Sequence, residues 1–199
     1  GMPETVLDYW FGADRADALR NPARARLWWR KDPVTDADIR ARFEPRVVQV
    51  LAGECEDWAR TPSGMLALVI LADQFTRNIY RGTPRAFAGD TFALAWCRGA
   101  LAAGMDRSLH PLERLFLYLP LEHSEVLADQ EHCVTLLETL VAGAAEPAAR
   151  ALLAGALDYA CQHREVIRRF GRFPHRNVLL GRASTATEIA FLKTPGSSF

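Results

Sequence analysis

Lysine is nearly missing from this chain of 199 residues: it stands only at Lys31 and Lys193. The basic charge is therefore carried by arginine. A GC-rich genome explains that bias, and arginine also suits buried or bidentate pairing better than lysine does. An excess of charge is missing too, since Lys+Arg and Asp+Glu both number 24 and the formal net charge is zero. The usual electrostatic footprint of a nucleic-acid binder is thus absent, and no nucleic-acid partner is expected.

Cysteine is sparse and scattered. Cys55, Cys97, Cys133 and Cys161 form no CxxC pair, so they read as reduced, buried, small apolar residues of a cytoplasmic protein. No metal site and no cofactor are expected from that spacing. Long apolar runs are lacking as well. Met65–Ala72, eight residues, is the longest. It is far short of a membrane span, so no membrane partner is expected. No basic stretch leads into an apolar one, which argues against a signal peptide. Gly1, ahead of Met2, is read as an addition and set aside. No P-loop, GxGxxG, HExxH, GxSxG or EF-hand loop occurs, so the enzymes with sharp local signatures are disfavoured.

What the chain has is helical periodicity and a 49% hydrophobic content, enough to bury the core of a single domain over residues 2–199. Pro3 and Glu4 suit a first helical turn, with Val6, Leu7, Trp10 and Phe11 on one face and Gly12 as the stop. Asn21-Pro22 opens a short segment that Asp32-Pro33 is expected to break. Thr35 reads as the next N-cap, with Asp38 in the third position. Ile39, Phe43, Val47 and Val50 follow as a stripe, and Pro45 sits inside it. From Pro62 a helix is apolar all round and runs without a turn signal into Asp73-Gln74-Phe75-Thr76-Arg77-Asn78. It is expected to be the buried centre. A loop spans Gly82 to Gly89, and a helix then runs to about Ala103. Another opens at His110-Pro111, is interrupted at Pro120 and continues over 121–141. A long helix spans about Pro147 to Phe170, and a last one, capped by Ser184, ends near Leu192. Thr194–Phe199 is expected to be loose. The reading is all-α, eight to ten helices and no strand, with antiparallel hairpins as the natural packing for short connections.

Three clusters of polar residues stand out. In the first, Asp73, Arg77 and Arg81 recur every four residues and continue a buried stripe, with Gln74 and Asn78 beside them. They read either as a structural ion pair at a helix end or as a pocket wall. In the second, Glu122, Glu125, Asp129 and His132 share a helical face. That pattern is mostly that of a solvated acidic face, with a weak echo of half a di-iron helix. His123 points the other way, inward, and reads equally as a core residue or part of a site. The third cluster holds His163, which interrupts an apolar stripe, and the stretch 170–188, FGRFPHRNVLLGRASTATE. Arg172, His175, Arg176, Asn177 and Arg182 gather there around a Phe-Gly turn and a proline. Multi-donor planar side chains mixed with phenylalanines suit a pocket wall.

The segments VLDYWFG, WWRKDPVTDADIRARFEP, LADQFTRNIYRGTPRAFAGD, ERLFLYLPLEHSE and HREVIRRFGRFPHRNVLLGRASTATEIAFL resemble the DUF924 family of bacterial proteins, in order and over nearly the whole chain. The hallmark segments LADQFTRN, LPLEHSE and FGRFPHRN coincide with the three clusters. The resemblance implies a tetratricopeptide-repeat-like, right-handed α-superhelix. It implies no activity and carries no catalytic residue. A structural or oligomer-forming protein whose polar clusters are only internal networks is one reading, and three functional readings stand beside it. The first, preferred because the polar residues gather in three spots, is binding of a small anionic ligand by Asp73, Gln74, Arg77, Asn78, Arg81, Glu122, His123, His163, Arg172, His175, Arg176, Asn177 and Arg182. The second is a peptide-binding concave face. The third is hydrolytic or transfer chemistry with a histidine acid or base. Convergence of Arg77, His123 and Arg176 would favour the first and third.

Overall fold

A computed structural model describes residues 2–199; Gly1, and with it the reading of that residue, lies outside them. Among the described residues there is no strand, as the periodicity requires. Proline opens most of the longer helices, where its fixed φ is already helical and its missing N–H would have no partner. This holds for α1 (Pro3–Phe11) and, after the short α2 (Arg15–Ala18), for α3 (Pro22–Trp29) and α4 (Pro33–Leu51). Asp32-Pro33 does not merely end a segment. Asp32 is the N-cap of α4 and accepts from Val34 N–H, so Thr35 lies inside the helix.

The buried centre is a continuous rod built from α5 (Pro62–Val69), a π-helical segment (Ile70–Phe75) and α6 (Thr76–Ile79). Residues Leu66–Ala72 have no exposed surface. The rod is enclosed by α1, α4, α7 (Asp90–Ala102) and α8 (Pro111–His123), and α9 (Leu127–Gly143) and α10 (Pro147–Phe170) pack onto α8. Aromatic rings join these layers: Trp10 meets Phe75 at 5.5 Å and Phe116 at 5.7 Å between centroids, both edge-to-face.

Three further boundaries differ from expectation. Pro120 lies within α8, and the break comes later, at Ser124–Val126. That break scatters the second polar cluster, because Glu122 ends one helix while Asp129 begins another. The last helix, α12 (Ala186–Leu192), follows the short α11 (Asn177–Leu180). Its N-cap is Thr185, in a reciprocal capping box with Glu188, and not Ser184. Thr194–Phe199 is not loose. Gly196 adopts φ 75°, a turn that favours glycine, and the chain folds back so that Phe199 stacks on His163.

Candidate functional site

The site begins with the π-helical segment. In and just after it, side chains reach back to backbone carbonyls: Thr76 Oγ1 donates to Ala72 O at 2.7 Å, and Arg77 Nη1 donates to Asp73 O at 2.9 Å. The Asp73 carboxylate is thereby set at the centre of the fold, with no exposed surface. Gln74 Nε2 donates to its Oδ2 at 2.8 Å, and Arg77 lies 3.5 Å from its Oδ1. Arg77 also makes a bidentate pair with Asp90, at 2.8 and 3.1 Å. Asp90 can reach Arg77 because Gly89 has no side chain: a Cβ there would sit 2.1 Å from Ala72 O.

The end of α8 faces this carboxylate. His123 Nδ1 is 2.6 Å from Asp73 Oδ1. The carbonyls that any helix C-terminus leaves open are taken by two distant side chains. Gln130 Nε2 donates to Glu122 O and Ser124 O, and Arg176 Nη2 donates to His123 O at 2.9 Å. His123 is thus held through its backbone by Arg176 and through its ring by Asp73.

Electrostatics separates the groups. Burial pushes Asp73 up, but the hydrogen bond from His123 and the Arg77 charge outweigh it and hold the carboxyl below its ordinary value. Burial, then the Arg77 charge, lowers His123, so it is neutral near pH 7. Its Nδ1–H donates to the ionised Asp73, which leaves Nε2 with the free lone pair. Glu122 behaves oppositely. Burial and the Asp73 charge raise it to about 8, against the pull of Arg77. It is held protonated at neutral pH, with its Oε2 3.9 Å from His163 Nε2. His163 gives its Nδ1–H to Tyr159 O at 2.7 Å, and burial lowers it to about 3. Burial and Arg176 lower His175 to about 4. One cluster therefore contains an oriented neutral histidine and a protonated carboxylic acid, the pairing that acid–base chemistry needs.

Arg176 differs from Arg81, Arg172 and Arg182. Arg81 is paired with Asp36, Arg172 with Glu188 and Arg182 with Glu125, each through two guanidinium nitrogens. The Arg176 side chain is 8% exposed, its nearest carboxylate oxygen is 3.8 Å away on Asp90, and its buried Nε has no partner. Its guanidinium is sandwiched between Phe87 at 4.7 Å and Phe173 at 4.6 Å. Burial and the nearby Arg77 lower it to about 10, and it stays charged.

The sequence candidates divide accordingly. Asp73, Gln74, Arg77, Glu122, His123, His163, His175 and Arg176 come together. Asn78 and Arg81 follow the end of the rod outward to Asp36 and line a separate surface groove of about 400 Å³. Arg172, Asn177 and Arg182 brace the stretch before α12: Arg182 bonds Phe173 O, Asn177 Oδ1 and Glu125, and Asn177 bonds Ser184. Phe173 of the 170–188 stretch completes the cluster together with Phe87, Asp90 and Phe199, which sequence reasoning did not single out. Asp90 read as a helix start, and nothing local tied Phe199 to His163. The four cysteines are unpaired, and Cys55, Cys97 and Cys133 are buried. Among the described residues no helix is long and apolar enough to cross a membrane, and no group of three His, Cys, Asp or Glu side chains is placed to hold a metal ion.

Comparison with known proteins returns the family that the motifs suggested. A family model described as a bacterial protein of unknown function (DUF924) matches residues 6–196. A solved structure of a protein of unknown function from Agrobacterium tumefaciens is 31% identical. It matches with a TM-score of 0.80 over 96% of each chain. No curated protein matches significantly.

Proposed function

This chain belongs to the DUF924 family, whose function is unknown, and we propose that it binds a small anionic molecule at Arg176, beside the Asp73–His123 pair. The observation that carries the reading is the Arg176 guanidinium. It is almost fully buried, charged, flanked by two aromatic faces and left with an orphan Nε. A buried donor without a partner costs free energy, which a carboxylate or phosphate oxygen would recover. Arg176 also caps α8, and that structural role accounts for Nη2 but not for Nε. The clamp of several arginines suggested by the sequence contracts to this one, because the others already face carboxylates.

A second reading is favoured by the opposed pKa shifts of Asp73 and Glu122. His123 would serve as base through Nε2 and Glu122 as acid, giving hydrolysis or group transfer on the bound anion. A peptide-binding face has less support, since the buried polar groups gather at one point and do not repeat along successive helices. We include a cytoplasmic location in the proposal; the cysteines are free, and no helix among the described residues is long and apolar enough to cross a membrane.

Thermal unfolding against phosphates, nucleotides and carboxylates tests the binding reading. A ligand at a hundred times its Kd adds about 2.7 kcal/mol, or about 5–10 °C for a chain of this size. The shift is expected for a selective subset of anions and is expected to vanish in Arg176→Gln. A panel without any shift, or an equal shift in the variant, would contradict it.

A further inference from the structure

Phe199 occupies a place built from rings. Its own ring lies over His163, with centroids 3.7 Å apart and planes 26° off parallel. Phe173 and His175 meet it edge-on, at 6.0 and 5.9 Å. Phe173 is shared, because the Arg176 guanidinium also lies against it, 4.6 Å from the ring centroid. A ring subsite and the cation of the proposed anion site are therefore neighbours across one side chain. Buried atoms without partners lie in the same small region: Arg176 Nε and His175 Nδ1.

The hold on Phe199 is weak in kind. Hydrogen bonds of this segment are local, Thr194 Oγ1 to Phe191 O and Ser197 Oγ to Leu192 O, and none crosses to the site. The ring joins a small apolar cluster around Val166, Ile167 and Phe173 that is separate from the main core. Its placement rests on packing, which another ring supplies equally well. A three-sided aromatic cage beside a desolvated arginine matches a planar ring that carries a negative charge one stride away.

We propose that the ligand is a small aromatic anion, and that Phe199 fills the ring subsite in its absence. This rests on the reading of Arg176 as an anion site. Calorimetric titration of the full chain and of Phe199→Ala tests it, with aromatic anions set against ring-free counterparts: phenyl phosphate against inorganic phosphate, and phenylacetate against acetate. Benzyl alcohol supplies the ring alone. At least one aromatic anion is expected to bind Phe199→Ala about ten-fold or more tightly than it binds the unaltered chain. It is also expected to bind that variant about ten-fold or more tightly than either its ring-free counterpart or benzyl alcohol. If circular dichroism shows Phe199→Ala unfolded, Phe199→Leu carries the same test. Equal binding of ring-free and aromatic anions overturns the aromatic subsite and leaves the anion site standing. Benzyl alcohol binding as tightly as the aromatic anions overturns the pairing of ring with charge. No binding by any probe overturns both readings.

Discussion

His123 and Asp73 lie fifty residues apart in sequence and meet at 2.6 Å through Nδ1 and Oδ1. The contact joins the π-helical turn of the central rod to the end of α8. It fixes the imidazole with Nδ1 toward Asp73 and Nε2 free and helps keep the carboxylate ionised with no exposed surface, while burial and Arg77, against the pull of Asp73, lower the histidine.

Removing that carboxylate leaves His123 and Gln74 without their acceptor in the interior. Asp73→Ala is expected to lower stability by about 3–5 kcal/mol, the range for breaking a buried ionic contact from one side. Asp73→Asn keeps an acceptor oxygen, and its cost is about 1–3 kcal/mol. Urea unfolding checks both, as a fall in midpoint with an unchanged slope.

Stability is expected to rise with pH through the acid range and to fall again as Glu122 ionises. His163 and His175 have folded-state values lowered to about 3 and 4 from 6.5, so the unfolded chain binds more protons and stability is lost as pH falls below 6.5. Glu122 has the opposite sign: its value rises from 4.5 to about 8, so stability is lost as pH rises through that window. Between 4.5 and 6.5 the two histidines outweigh the one carboxyl. Above 6.5 only Glu122 remains of the three, and the slope reverses, at most about 1.4 kcal/mol per pH unit. Unfolding followed from pH 4 to 9 checks this, and Glu122→Gln should flatten the decline above 6.5.

Gly89 permits the start of α7 to touch the π-helical turn, and Asp90 reaches Arg77 from there. Gly89→Ala forces a Cβ against the backbone at 2.1 Å, so the helix start must move. A loss of about 1–3 kcal/mol is expected, together with weaker anion binding, because Arg77 and Arg176 share Asp90. Thermal unfolding and a binding titration on the same variant check the two effects.

Glu125 ties the stretch before α12 to the end of α8. It accepts Phe173 N–H at 2.6 Å and pairs with Arg182 at 2.8 and 3.2 Å. Glu125→Ala should release residues 171–185 without opening the rod. Amide exchange should quicken there by about ten-fold or more, while residues 62–79 keep their protection.

The helical content and the buried centre are legible in the residues, since periodicity reports which faces are apolar and the run from Met65 to Ala72 has no polar side. The contact of Arg77 with Asp73 follows from their spacing. The partners beyond each helix do not. Asp90, Phe87 and Phe199 enter the cluster only through tertiary packing, and no local pattern marks a π-helical turn. Arg81 leaves the expected face because the helix stops at Ile79, two residues before it. The acidic face of 122–132 dissolves because Gln130 and Arg176 stabilise a break at Ser124, which sequence reasoning placed at Pro120.

The decisive test of an anion site at Arg176 is nuclear magnetic resonance of the histidine ring nitrogens during titration with inorganic phosphate and phenyl phosphate. Saturable shifts are expected at His123 and His175 for at least one of the two anions, and none in Arg176→Gln. Ring resonances that stay fixed at millimolar anion, or that move equally in the variant, would contradict an anion site at Arg176.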